Sequence, residues 1–288
     1  MLLVCAAAFS MTACSSSNSF SDPIDMETPV KNPNPTPAAG MAKTFTTTAD
    51  GNYSLLEGES KLFNGVSMAP VTIELDLSKK FQSIDGFGYA ITYSSCYNLM
   101  HMAETDRLAL LKRLYSTTEG YGVSYARISL GCNDFSSTEY TYCDQKGTDA
   151  DPLSTFALHN DENQYVIPVL KEILAINPNV KIIAAPWTCP KWMKVADINT
   201  KTPKDSWTDG HLNPDYRELY AKYFVKFIQT MKEKGINIYA VSPQNEPLNK
   251  ANCASLYMPW QEEAPFVKAL AGEFKKNNVS TKIYVFDH

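Results

Sequence analysis

The sequence predicts an α/β protein whose main domain is an incomplete (β/α)8 barrel of about five strand–helix units, preceded by a small β layer. Short, mostly apolar strands alternate with helices that each carry one apolar stripe, which is typical of a parallel sheet covered by helices. No glycine-rich phosphate-binding motif follows any of these strands, which disfavours a nucleotide-binding doubly wound sheet.

The barrel strands are predicted from short apolar runs bounded by polar or turn-forming residues. In chain order these runs cover residues 84–91, 124–130, 181–185, 239–242 and 282–286. Their starts lie about 49 residues apart on average, so an eighth strand would begin near residue 428. The 288 residues are therefore expected to hold the first five strands of a barrel truncated before the rest.

Helices are predicted where apolar residues recur at every third or fourth position. The clearest covers about residues 214–234, with Asn213 as its N-cap, Pro214 in its first turn and Gly235 at its end. Three further helices are centred on the stretches 108–115, 166–174 and 266–274.

The first 80 residues are predicted to lie outside the barrel domain, which covers residues 81–288. Residues 1–13 form an apolar run that ends in small residues before Cys14, a pattern typical of a bacterial lipoprotein signal peptide. The alternative is an apolar N-terminus with no signal function. Residues 14–43 are rich in proline and serine and predict a disordered tether, and residues 44–80 predict the N-terminal β segment.

Lipidation of Cys14 is the basis of the predicted location. A diacylglycerol on this cysteine would anchor the protein in the bacterial cell envelope, either facing the periplasm or at the outer-membrane surface. No run of 18 apolar residues occurs, so the lipid is the only predicted membrane contact.

Composition argues against several classes of partner. The formal net charge is −5 and no basic run occurs, so nucleic acid is not an expected ligand. The four histidines lie far apart and no paired CxxC motif occurs, so no metal site is predicted. The five cysteines after Cys14 fit buried small residues, and a disulfide between Cys132 and Cys143, the nearest pair, is the alternative.

Candidate site residues follow the carboxyl ends of the predicted strands, where (β/α)8 barrels place their active sites. Asp134 follows the second strand, Trp187 the third, and Asn245 and Glu246 the fourth. Carboxylates and amides bond sugar hydroxyls and indole rings pack on sugar rings, so a neutral carbohydrate is the predicted substrate class. Glu246 is the predicted proton donor to a departing glycosidic oxygen.

Five motifs between about residues 71 and 288 resemble glycoside hydrolase family 30, the glucosylceramidase-like group of retaining β-glycosidases. They are QSIDGFG at 82–88, RIS and DFS within 127–136, APWTCP at 185–190, SPQNEP at 242–247 and FDH at 286–288. The resemblance implies a (β/α)8 barrel with an appended β-sandwich, no cofactor, and Glu246 as general acid/base. It also implies that Asp134, Trp187 and Asn245 bind the glycone sugar and that Arg127 supports the strand ends.

The stretch 132–141 looks most like bacterial β-1,6-glucanases, so β-1,6-glucan is the favoured substrate, with Trp260 lining an outer subsite. A β-1,3-glucan or a glucosyl lipid stays open. The resemblance also places the catalytic nucleophile, a second glutamate, at the end of strand seven, which would begin near residue 379 at about 49 residues per strand. The 288-residue chain alone is therefore expected to show little activity, and the alternative function is a surface sugar-binding lipoprotein without turnover.

Four residues also have structural interpretations. A buried ion pair is favoured over substrate contact for Arg127, which lies inside a strand. For Trp187, a sugar platform is favoured over a place in the core. Trp192 and Trp207 lie in the loop 190–213, where core cover and a subsite role fit equally well.

Overall fold

The computed structural model describes residues 41–42, 44–58, 61–62 and 76–288. The predicted signal peptide, Cys14 and almost all of the predicted tether lie outside these residues. Most of residues 71–77, which belong to the predicted N-terminal β segment, also lie outside the described residues. Strand pairing begins at Met41, just inside the predicted tether.

Eleven strands and five α-helices are present in the described residues. The strands are β1 (Met41–Ala42), β2 (Phe45–Thr46), β3 (Leu56–Glu57), β4 (Lys61–Leu62), β5 (Gly88–Ala90), β6 (Tyr125–Ser129), β7 (Lys181–Ala185), β8 (Lys194–Val195), β9 (His211–Leu212), β10 (Ile238–Val241) and β11 (Lys282–Ile283). The helices are α1 (Tyr93–His101), α2 (Glu104–Tyr115), α3 (Ile167–Ile176), α4 (Arg217–Glu233) and α5 (Trp260–Lys276). A π-helix, Glu162–Val166, leads into α3.

A five-stranded parallel sheet forms the centre of the fold. Its strands pair in sequence order, β5, β6, β7, β10 and β11, and helices lie between them in the chain. The predicted fold class, five strands of a (β/α)8 barrel, is confirmed. The N-terminal strands form two separate antiparallel pairs, β1 with β4 and β2 with β3.

The ends of the first and fifth barrel strands differ from the prediction. The first pairs only from Gly88, so Asp85 and Gly86, which lie within the predicted run 84–91, precede this strand. Gly86 has a φ of 148°, which L side chains rarely adopt, and a Cβ on Gly88 would lie 2.1 Å from the carbonyl oxygen of Tyr125. The fifth ends at Ile283, short of the predicted residue 286.

The predicted helices are all present. Helix α4 is preceded by a single 3₁₀ turn, Pro214–Tyr216, and the side chain of Asn213 accepts a hydrogen bond from the backbone N–H of Asp215, as expected of an N-cap. Helix α1 was not predicted; it has only nine residues and fully buries only Cys96 and Leu99, so it is shorter than the stretch over which an apolar periodicity is usually read.

The core lies between the helices and one face of the sheet. Alternate residues of the central strands, such as Ala126, Ile128 and Ile182, are buried, while their neighbours on the other face are only partly buried. All five described cysteines are free thiols. The interpretation as buried small residues is confirmed for four of them and is wrong for Cys253, which is exposed. No helix of the described residues combines the length and apolarity needed to cross a bilayer.

Glu162 is a buried carboxyl group in the π-helix. The hydroxyl groups of Tyr140 and Tyr142 donate to its Oε1 at 2.7 and 3.0 Å, and within the described residues Oε2 has no hydrogen-bond partner. Burial raises the pKa of Glu162 from 4.5 to about 7, with the neighbouring Asp161 adding to the rise. The folded protein therefore holds a proton here over a pH range in which the unfolded chain has lost it.

We predict that Glu162→Gln reduces the loss of stability between pH 4.5 and 7. Because the unfolded chain releases this proton near pH 4.5 and the folded chain only near 7, the free energy of unfolding falls across that window, by about 3 kcal/mol from this group. Urea denaturation of both proteins at several pH values measures the difference. An identical pH dependence in the two proteins would contradict the assignment.

Candidate active site

A cleft of about 350 Å³ opens at the carboxyl ends of the parallel strands. Its lining includes five of the six predicted site residues, namely Arg127, Asp134, Trp187, Asn245 and Glu246. Two larger clefts, of about 550 and 530 Å³, lie between α4 and α5 and at the amino ends of the strands. The smaller cleft is the candidate site, because it alone of these three collects residues from the strand ends where barrels carry out chemistry.

Arg127 of β6 joins three of the strand ends. Its Nη2 donates to Oδ1 of Asn245 at 2.8 Å and to Oδ2 of Asp287 at 2.6 Å. Its guanidinium carbon lies 4.9 Å from the ring centroid of Trp187. Arg127 does form an ion pair, and Asp287, which the sequence placed only in the terminal motif, is its partner. The pair is not buried as predicted, because the two side chains are 27% and 28% exposed.

Trp187 belongs to the core as well as to the cleft. Only 6% of the residue is exposed, it packs within the main hydrophobic cluster, and its buried Nε1 has no hydrogen-bond partner among the described residues. The buried Gln244 donates from Nε2 to the carbonyl oxygens of Trp187, at 2.7 Å, and Asn245, at 2.9 Å. These bonds tie the end of β7 to the end of β10, so the position of Trp187 is set by its backbone as well as by Arg127.

Glu246 lies in the turn that follows β10. Its φ of 43° is in the left-handed region, and its backbone N–H donates to the carbonyl oxygen of Asp287 at 2.7 Å. Oε2 accepts hydrogen bonds from Nδ2 of Asn249, at 2.7 Å, and of Asn252, at 2.8 Å. No described residue donates to Oε1, so one carboxyl oxygen is held by the protein and the other is left for a ligand.

Asp134 is presented to the cleft by a turn after β6. The buried Asn133 shapes this turn, because its Oδ1 accepts from the N–H of Phe135 at 2.7 Å and its Nδ2 donates to Ser129 at 3.1 Å. Ser94 at the start of α1 donates to the carbonyl oxygen of Phe135. The Asp134 side chain is exposed, which leaves its carboxylate free to accept hydrogen bonds from sugar hydroxyls.

Trp260 is the predicted site residue that does not line the cleft. It is the first residue of α5 and is 73% exposed. The N–H of Met258 donates to the carbonyl oxygen of Pro247 at 2.7 Å, which holds the segment before α5 against the loop that carries Glu246. Trp260 is not part of the cleft lining, and a role in an outer subsite stays a prediction.

The loop 190–213 covers the core beside the site. Nε1 of Trp192 donates to the carbonyl oxygen of Cys143 at 2.8 Å, and its ring packs edge-on against Tyr216. The ring of Trp207 faces the Lys191 ammonium at 5.0 Å. Neither tryptophan is part of the cleft lining, so the structure favours the core-cover interpretation of both.

Lys194 is a buried ammonium group that joins the loops around the site. Its Nζ donates to Oγ1 of Thr188 at 3.1 Å and to the carbonyl oxygens of Ser255, at 2.9 Å, and Trp207, at 3.4 Å. Burial lowers the pKa of Lys194 to about 8. No local sequence pattern indicates these contacts, because the three partners lie on separate loops.

No metal centre is apparent: within the described ranges, no group of three or more histidine, cysteine or acidic side chains is arranged to hold an ion.

The family model of the glycosyl hydrolase family 30 TIM-barrel domain matches residues 84–279. The chain belongs to this family.

Named relatives and a solved structure are also similar to this chain. The chain is 32% identical to endo-1,6-beta-D-glucanase BGN16.3 of Trichoderma harzianum over 88% of its own length and 53% of the relative. It is 28% identical to the lysosomal acid glucosylceramidase of Mus musculus, over 83% and 44% of the two chains. The solved structure of the endo-β1,6-glucanase BT3312 is 53% identical with a TM-score of 0.76, over 88% of this chain and 53% of that one. This family-30 chain thus spans about half the length of these relatives.

We predict that Arg127→Lys destabilises the fold by about 2 kcal/mol, the usual cost of losing hydrogen bonds to charged groups. A lysine has a single ammonium and cannot bond Asn245 and Asp287 while lying flat over Trp187. Urea denaturation measures the loss. The matched control is Arg113→Lys on the exposed face of α2, expected to change stability by less than about 0.5 kcal/mol. Equal effects of the two substitutions would show that Arg127 is not a structural link.

Proposed function

We propose that this chain supplies the acid/base part of the active site of a retaining β-glycoside hydrolase that acts on β-glucosidic bonds. The position and hydrogen bonding of Glu246 are the observation that carries the proposal. It lines a cleft at the strand ends, and one oxygen of its carboxyl group has no donor within the described protein. A group placed in this way can give a proton to the oxygen of a bound sugar.

In the proposed reaction, Glu246 donates its proton to the glycosidic oxygen as the bond between that oxygen and the anomeric carbon breaks. A second carboxylate takes the anomeric carbon as a covalent glycosyl ester. The ionised Glu246 then removes a proton from water, whose oxygen displaces the ester and restores both groups. Asn245 and Asp134 would bond hydroxyls of the glycone, and Arg127 would hold Asn245 in place.

The second carboxylate must lie about 5–5.5 Å from the first in a retaining enzyme. In the described part of the cleft lining, Asp134 is the one carboxylate besides Glu246, and we assign it to sugar binding. The resemblance places the nucleophile in a seventh barrel strand. We therefore expect residues 1–288 alone to release little or no glucose from a β-glucan.

β-1,6-Glucan is the substrate we favour. The support comes from two relatives that are endo-1,6-glucanases by name, one of them 53% identical in sequence, whereas the murine glucosylceramidase is 28% identical. We further propose that Trp260 contacts a more distant sugar of such a polymer. A lipid on Cys14 would hold the enzyme in the bacterial cell envelope, at the membrane, where extracellular glucans arrive.

The second candidate function is sugar binding without turnover at the cell surface. It is favoured by the single acid/base candidate in the described cleft. Binding of a β-1,6-linked gluco-oligosaccharide to residues 1–288, measured by calorimetry, fits both functions, because each uses Asp134 and Asn245 as sugar contacts. Turnover separates them.

We predict that Glu246→Gln reduces turnover of β-1,6-glucan by about 10² to 10⁴, the usual contribution of general acid–base catalysis. The measurement uses a hybrid in which this chain replaces the matching half of the endo-β1,6-glucanase of solved structure, since the two share 53% identity. Glu233→Gln at the exposed end of α4 is the matched control and should leave kcat unchanged.

Two results would overturn the proposal, and a third would correct its placement of the second carboxylate. A hybrid that folds but retains full activity with Glu246→Gln would remove Glu246 from the chemistry. A folded hybrid that binds the oligosaccharide but never cleaves it would favour the sugar-binding alternative. Rapid, Glu246-dependent turnover by residues 1–288 alone would show that the second carboxylate has been misplaced.

A further inference from the structure

Two asparagine side chains converge on one oxygen of Glu246. Nδ2 of Asn249 lies 2.7 Å from Oε2 and Nδ2 of Asn252 lies 2.8 Å from the same atom. Both residues belong to the short loop that follows Glu246, and Asn252 also lines the cleft. Neither asparagine is among the site residues predicted from the sequence.

The orientation of the Asn249 amide is determined by its other contacts. Its backbone N–H donates to the carbonyl oxygen of Glu246 at 2.8 Å, which closes a tight turn. Its Oδ1 accepts from the N–H of Ala251 at 2.8 Å. Because the amide oxygen is already committed to an N–H donor, the NH₂ group must be the one that faces Glu246.

An amide NH₂ group donates and cannot accept a hydrogen bond. In the neutral form of Glu246, a proton on Oε2 would point toward two donors and find no acceptor there. The carbonyl oxygen of a carboxylic acid is also the better acceptor, so both amides favour it at Oε2. The acidic proton then belongs on Oε1, the oxygen that receives no bond from the described protein.

We propose that Asn249 and Asn252 are positioning residues that keep the transferable proton of Glu246 on Oε1. The inference rests on the proposed acid/base role of Glu246. It adds that the carboxyl group of Glu246 need not rotate between donating a proton to the leaving oxygen and removing one from water, because both amides stay bonded to Oε2 when the proton has left. Oε1 then gives the proton to the leaving oxygen and later takes one from water.

The first test observes the amides of the full chain by NMR. With ¹⁵N-labelled asparagine, the side-chain NH₂ resonances of Asn249 and Asn252 are assigned by their loss in the two alanine variants. The chemical shifts of both amides are expected to follow the same pH dependence as Glu246 takes up its proton. This pH dependence should be absent in Glu246→Gln. The amide of Asn179, exposed before β7, is the internal control and should not follow it.

The second test locates the proton. The infrared difference between wild type and Glu246→Gln at acidic pH isolates the carbonyl stretch of protonated Glu246. If Oε2 is the carbonyl oxygen, Asn252→Ala removes one of its two donors and the stretch moves to higher frequency. Asn249→Ala should give a shift in the same direction, which covers the case in which one variant does not fold, and Asn179→Ala should give none.

The inference is overturned if either amide fails to titrate with Glu246, or if the carbonyl stretch is unchanged in the folded alanine variants. The latter result would put the proton on Oε2. Failure of the proposed function is a separate outcome: it appears as a Glu246→Gln hybrid with full activity, whatever the NMR and infrared results are.

Discussion

The guanidinium group of Arg127 is the contact on which the geometry of the site depends. From the middle of the sheet it bonds Asn245 and Asp287, which follow two other strands, and it lies over the ring of Trp187, which follows a third. One side chain thus positions its own strand, β6, relative to the ends of three other strands. Because the pair with Asp287 is only partly exposed, water weakens it less than it would a surface ion pair.

The remaining contacts of the site build on this link. Asp287 holds Arg127 through its carboxylate and accepts the N–H of Glu246 through its carbonyl oxygen, so the turn that carries the acid is fixed to the last strand. Gln244 joins the ends of β7 and β10 through its hydrogen bonds to Trp187 and Asn245. Lys194 joins the loops around the site through its bond to Ser255. The carboxyl group is therefore held by backbone and amide contacts, while its Oε1 is left free of them.

The fold could be predicted from sequence largely because its signals are local. The strands and the long helix follow from apolar periodicity, and their carboxyl ends identify Asp134, Asn245 and Glu246 as site residues. Helix α1 was missed because its nine residues are fewer than the about 11–18 over which an apolar periodicity is usually read. The limits of β5 were also misplaced, since they depend on how closely Gly88 approaches its neighbouring strand.

The contacts within the site were not predictable in the same way. The partner of Arg127 lies 160 residues along the chain, and no local pattern indicates that Arg127 would cover Trp187. Asn249 and Asn252 are close to Glu246 in sequence, yet only the folded turn shows that both amides point to one oxygen. Only the structure shows that Trp260 is 73% exposed and does not belong to the cleft lining.

The most direct test of the account is a crystal structure with an unhydrolysed β-1,6-linked glucose disaccharide bound. The account predicts that the glycosidic oxygen lies within hydrogen-bond reach of Oε1 of Glu246, about 2.6–3.2 Å, while both asparagine amides remain on Oε2. A sugar bound in this cleft with its glycosidic oxygen facing away from Glu246, or bonded to Oε2 in place of the amides, would contradict it.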